Sequence, residues 1–276
     1  MIIELSCPAL ELRTVSRACC GPQPHTNMTS LLRFFLAFVL LGSAACGSSD
    51  SEQPAPPADV ANPVDPATAG GLKGSVKLEG TPPAAQRINR RSDPYCEQQG
   101  EARTQNFVVS DGGLENVFVY VKEGLGNLKF PVPATPVTLD QKGCTYLPRV
   151  FGIQAGQSLE ILNSDETLHN IHALPMNNRE FNRGQALKGL KSTHVFTTPE
   201  VMLPFKCDVH SWMNAWVGVL NHPFYSVSGP GGTFDIKNLP PGSYTIEAWH
   251  EKLGSQTQMV TVGAKETKEL SFTFKL

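Results

Sequence analysis

Apolar residues in this chain recur at every second position, in short runs. Val76 and Leu78 alternate in GSVKLEG, and Val117, Val119 and Val121 alternate in ENVFVYVKEG, whose other face carries Phe118 and Tyr120. Leu159 and Ile161 do the same in QSLEILN, Phe234 and Ile236 in GTFDIKN, and Tyr244, Ile246 and Ala248 in SYTIEAW. Leu270, Phe272, Phe274 and Leu276 close the chain. Turn residues bound these runs, at Gly156, Gly231-Gly232 and Pro240-Pro241-Gly242. Short period-two runs between Gly/Pro turns predict β-strands, and the whole set predicts an all-β chain built as sandwiches. No segment beyond Leu41 sustains a helical period. The polar stretch Asn177–Ser192 reads as a long surface loop, and there is no internal repeat.

The N-terminal part follows a different rule. Met28-Thr29-Ser30-Leu31-Leu32-Arg33 is a short positive start, Phe34 to Leu41 is apolar, and Gly42-Ser43-Ala44-Ala45 leads into Cys46. This reads as a secretory signal over 28–45, too short for the ~20 residues that span a bilayer. Residues 1–27 read as an upstream start artefact. Residues 46–70, rich in Pro, Ala, Gly and Ser, cannot bury a core and read as an extended linker. Folding is expected to begin near Gly71.

Composition narrows the function. There are 23 Lys+Arg against 25 Asp+Glu, only 17% of residues are charged, and no basic block stands out. A nucleic-acid partner therefore has no electrostatic footprint here.

Candidate chemistry concentrates in FKCDVHSWMNAWVGV, where Cys207, His210 and Met213 follow a Cys-x2-His-x2-Met spacing. A thiolate, an imidazole and a thioether form a soft donor set that suits copper, and one further imidazole would complete a His2Cys site with a weak axial Met. His169, in ILNSDETLHNIHAL at the end of a predicted strand, is the upstream candidate. Zinc could take the same Cys and two His. In a regular strand His172 faces away from His169, which makes it a non-ligand or part of a second, weaker site. His194, His222 and His250 have no ligand-spaced partner and read as surface or packing residues. Hydrolase, haem-attachment and multicopper signatures are absent, as is the two-cysteine loop of a binuclear copper centre. The site thus reads as mononuclear and closed, and the chain as no enzyme.

Two blocks, RVFGIQAGQSLEILNSDETLHNI and TTPEVMLPFKCDVHSWMNAWVGVL, resemble the cupredoxins, the small blue-copper proteins such as plastocyanin and amicyanin. The resemblance implies a Greek-key β-sandwich holding one type 1 copper on His169, Cys207, His210 and Met213. It implies that Asn170 braces the cysteine loop. It places His210 near the surface in an apolar patch, with Trp212 a candidate for that patch, and electrons passing through its ring edge. GTFDIKNLPPGSYTIEAWHEKLGSQTQMVTV resembles a second family, the carboxypeptidase regulatory-like sandwiches of prealbumin type, and GSVKLEGTPP resembles that family's opening strand. The expected division is 71–125 with 221–276 as this second small β-sandwich and 126–220 as the inserted cupredoxin. A separate C-terminal sandwich is the alternative.

Small residues running into Cys46 resemble the lipobox of bacterial lipoproteins, with Ser43 where the family prefers Leu. This implies lipidation of Cys46, against plain secretion or an uncleaved anchor. Gly47 in place of Asp lacks the inner-membrane retention signal, so the expected location is the periplasmic side of the envelope, anchored at the outer membrane. In an oxidising compartment the odd cysteine, Cys207, is accounted for by its ligand-rich neighbourhood. That leaves Cys96 and Cys144 to pair, or to remain two buried thiols. One-electron transfer with a redox protein partner, a cytochrome or an oxidoreductase, is the expected function. Its rivals are copper storage, delivery or sensing, and a glycan-binding or adhesion module with a vestigial site.

Overall fold

The structure is a computed structural model that describes residues 60–276; the signal, Cys46 and the greater part of the linker lie outside the described residues. Almost every element is a strand, as the period-two pattern requires. Among the described residues no helix is long and apolar enough to cross a membrane.

The first strand, Gly70–Glu79, is central to one sandwich. It pairs parallel with the last strand, Thr267–Lys275, and antiparallel with Thr233–Leu239. The first and last strands of the described residues therefore share one sheet. The facing sheet orders Tyr225–Val227, Phe118–Glu123, Gly242–His250 and Gly254–Val262. Val117, Val119 and Val121 point into the core between these sheets, with Leu72, Phe234, Ile236, Ile246 and Phe272.

The second sandwich is formed by residues between those halves. One sheet orders Phe181–Gln185, His169–Ala173, Glu200–Lys206, Asn214–Leu220 and Val150–Gln154. The other orders Lys191–Val195, Ser158–Asn163, Val137–Gln141 and Tyr146–Leu147. Leu159, Ile161, Ile171, Phe205 and Val217 fill the space between.

Alternation along Phe118–Glu123 also explains how the two sandwiches meet. Its other face, Phe118 and Tyr120, joins Val150, Met202 and Leu220 in a third apolar cluster. Two glycines permit this close approach. A Cβ on Gly218 would stand 2.3 Å from the Phe118 ring, and one on Gly152 would stand 2.3 Å from the Tyr225 ring. Trp249 packs on Trp216 at 5.2 Å between centroids, so its indole is spent on the join. Arg149 donates to Glu251 across the same seam at 2.6 Å, both side chains nearly buried.

Two expectations need correction. The stretch Asn177–Ser192 is not one loop: it holds the strand Phe181–Gln185 and runs into Lys191–Val195. Both lie at sheet edges, where an outer face carrying Lys, Arg and Asn is tolerated and guards against further pairing. Residues 71–125 also do not all stay with the first sandwich. A short helix, Pro94–Gln98, lies within this stretch, and its Cys96 is buried in the core of the second.

Candidate metal centre

His169 opens its strand after a loop that its own polar residues shape. The Asp165 amide donates to Asn163 Oδ1 at 2.9 Å, and Asn163 Nδ2 donates to the Thr167 carbonyl at 3.0 Å. Cys207 leaves the end of Glu200–Lys206. From there the chain closes a tight loop: the Cys207 amide donates to the Met213 carbonyl, and the Met213 amide to the His210 carbonyl. The His210 amide points at Cys207 Sγ, 3.3 Å away. Asn170, beside His169, accepts the Asp208 amide on its Oδ1 at 2.7 Å and lies 3.2 Å from Cys207 Sγ. It thereby ties the two ligand segments together.

These segments bring His169, Cys207 and His210 into one cluster, with one donor atom of each within 4.8 Å of the others. His169 Nδ1 and His210 Nδ1 face each other at 2.9 Å, and Cys207 Sγ stands 4.0 Å from His210 Nδ1. Met213 is fully buried in the same loop. Two further three-donor groups include Cys96 or Cys144. Those sulfurs are bonded to each other, with Cα atoms 5.6 Å apart, and offer no thiolate. Cys207 is the free cysteine among the described residues.

The outer nitrogens of both rings meet carboxylates. His169 Nε2 lies 2.9 Å from Asp165 Oδ2, and His210 Nε2 lies 3.0 Å from Asp93 Oδ2. Burial by itself would raise the Asp165 carboxyl, but His169 and the Cys144 and Gly143 amides more than offset it and hold its pKa below the usual range. Burial also opposes ionisation of Cys207. Hydrogen bonds from His169, His210 and backbone amides outweigh it and bring the thiol down to about 6, which favours the thiolate form.

This geometry fits a soft cation. With each Nε2–H committed to a carboxylate, two neutral rings would direct their Nδ1 lone pairs at each other across 2.9 Å. A proton or a metal ion has to lie between them, and a thiolate completes the donor set.

His210 differs from its expected position. It is 1% exposed, not at the surface. Asp93 and Cys96, whose Sγ is 3.7 Å from Nε2, cover its outer edge, because the disulfide to Cys144 draws their segment over the ring. Trp212 does lie against His210, 4.9 Å between centroids, half-buried and donating from Nε1 to the Cys144 carbonyl. His172 turns outward to Asp208 and Glu180. His194 stacks on Phe181, and His222 and His250 are buried away from this cluster.

Sequence reading missed Asp93 and Asp165. A signal for the first was present: Asp-Pro at 93–94 is a helix-start pattern. Asp165, four residues before His169, had none that would separate it from a turn residue.

No family model and no curated protein matches the chain. Among solved structures, parts of it are similar to a purple cupredoxin from Nitrosopumilus maritimus, at 22% identity over 30% of this chain and 98% of that one, with a TM-score of 0.27. A variant of amicyanin in its Cu(I) state is similar at 17% identity over 30% of this chain and 81% of that one, TM-score 0.28. A copper-containing nitrite reductase from Thermus scotoductus is similar at 20% identity over 37% of this chain and 26% of that one, TM-score 0.30. The donor cluster stands on its own geometry, independently of these partial likenesses.

Proposed function

We propose that this chain binds one copper ion and passes single electrons in the cell envelope. His169, Cys207 and His210 are the strong ligands and Met213 the weak axial one. The observation that carries the reading is the pair of facing Nδ1 atoms, 2.9 Å apart, beside a thiol acidified to about 6. A soft thiolate with a thioether in the same loop favours copper over zinc. Bound copper would supply a Cu(I)/Cu(II) couple with intense thiolate absorption in the oxidised state.

The protein's own residues do the remaining work. Asn170 holds the Cys207 loop, and the two aspartates orient the rings. Burial keeps water from the donors and leaves no open position for a substrate, which supports electron transfer over turnover. Exposures of 0–2% at the donors also weigh against ready release of the metal to another protein, the storage or delivery alternative. Trp212, half-buried against His210, is the route we assign to the surface, where a redox protein such as a cytochrome or an oxidoreductase would dock. Lipid on Cys46 would hold the chain on the periplasmic side of the outer membrane.

The test is the visible and electron-spin-resonance spectrum of the oxidised, copper-loaded protein. An intense thiolate band is expected, reversible on reduction at constant copper content and lost in Cys207→Ser. A colourless loaded protein, or colour that survives Cys207→Ser, overturns the reading.

A further inference from the structure

Asp93 stands far from the ligand strands in sequence and next to them in space. It is the N-cap of the short helix Pro94–Gln98, and its Oδ1 accepts the Tyr95 and Cys96 amides at 2.8 and 3.1 Å. Its other oxygen, Oδ2, accepts Thr167 Oγ1 at 2.6 Å and faces His210 Nε2 at 3.0 Å. Three residues later, Cys96 is bonded to Cys144, whose amide is in turn held by Asp165, the carboxylate on His169. Helix cap, disulfide and both histidine carboxylates thus form one connected frame.

We propose that Asp93 is a positioning residue for the metal ligand His210. Its carboxylate holds the proton on Nε2 and keeps the Nδ1 lone pair turned to the metal. The inference rests on the metal-site reading above. A carboxylate can only accept in this contact, so the ring must donate from Nε2, and in the neutral ring the Nδ1 lone pair is then left for the metal. Asp165 does the same for His169, so both rings are set by the same chemistry from two different segments. Outer carboxylates of this kind raise ligand basicity as well as fixing orientation. With Cys207, they place three negative charges around the site, which favours Cu(II) over Cu(I) and lowers the reduction potential. The Asp93 segment also closes His210 off from solvent. The ring edge therefore cannot be the contact with a partner, and Trp212 remains.

Asp93→Asn and Asp93→Ser separate this role from the helix cap, because Asn and Ser cap a helix about as well as Asp. In Asp93→Asn an amide that donates replaces the oxygen facing Nε2, which favours the tautomer with its proton on the ligating nitrogen. In Asp93→Ser the group is too short to reach. Both variants are expected to keep the Cys96–Cys144 disulfide and near-ultraviolet dichroism. Both should lose about 10–100-fold in Cu(II) affinity, shift the thiolate band and raise the potential. In the wild type loaded with Cu(I), nitrogen-15 resonance should find a slowly exchanging proton on His210 Nε2 and none on Nδ1, a readout independent of any variant's folding. Wild-type affinity, band and potential in both variants, or a proton on Nδ1, overturns the proposal. If the wild type has no thiolate band at all, the metal-site reading falls and takes this inference with it. A normal wild-type band with unmoved variants removes only the role of Asp93.

Discussion

Between the strands Gly70–Glu79 and Gly242–His250 the core is apolar throughout, from Leu72 and Val76 to Phe272 and Phe274. The other sandwich starts the same way, with Leu159, Ile161 and Val217, but its end is a buried polar nest of Asp165, His169, Asn170, Cys207 and His210. The first arrangement is held by area removed from water, roughly 25 cal/mol per Å², and is insensitive to small shifts. The second depends on each donor meeting its acceptor, since a buried polar group without a partner costs about 1–3 kcal/mol. Two packings of the same kind of strand thus serve different ends: one holds the strands Gly70–Glu79 and Thr267–Lys275 side by side, and the other holds donor atoms at fixed separations.

The largest effect of a single substitution is expected in the apolar sandwich. Phe272 is fully buried against Phe234, and Phe272→Ala should cost about 3–5 kcal/mol. Denaturant unfolding would measure this, and the thiolate band of surviving folded protein should be unchanged. A band that moves with Phe272 would mean that the two sandwiches are not separable. Removing the Cys96–Cys144 bridge tests the opposite side. It closes a span of 48 residues, worth up to about 4 kcal/mol in the chain-entropy account. Calorimetry of Cys96→Ala/Cys144→Ala should show that loss together with weaker copper binding, because Asp93 is tied down by the same bridge. Loss of stability without any change in metal affinity would separate the bridge from the site.

A pH experiment probes the seam between the sandwiches. Burial against Phe224 holds His222 down to about 4, well below its ordinary value. The unfolded chain therefore binds the proton first as pH falls. His222's contribution is complete above ~6.5 and is lost progressively as pH drops towards 4, about 3 kcal/mol in all. His222→Asn should flatten that part of the stability profile; an unaltered slope would assign the acid sensitivity to other groups. The smallest effect is expected at His172, which pairs with Asp208 and Glu180 at the surface. His172→Ala should cost no more than ~1 kcal/mol and leave the band in place, and a shifted band would bring His172 into the site.

Much of this molecule is legible in its sequence. Alternation along residues 117–121 separated Val117, Val119 and Val121 from Phe118 and Tyr120, and the two sets fill two different clusters. The clustered residues His169, Cys207 and His210, with Asn170 as brace, could be named from spacing and resemblance, because Cys207 and His210 sit in one loop and His169–Asn170 is a single dipeptide. The edge strands at 181–185 and 191–195 were not legible, because an edge strand with one solvated face has the composition of a loop. The Pro94–Gln98 helix was too short to show a period.

What the chain determined by itself is therefore local: period-two strands, turn positions, a ligand loop closed within seven residues. Tertiary structure decided whether His210 would meet water or a carboxylate. Asp93 and His210 are 117 residues apart, and no pattern along the chain links them. They meet because a disulfide and an N-capped turn carry one segment of the first half over the ligand loop of the second. A hydrogen bond of 3.0 Å between them exists only once the second sandwich has folded with the Cys96 segment packed into its core. Proximity of that kind depends on how sheets stack and where loops cross, which the order of residues constrains only through the finished fold.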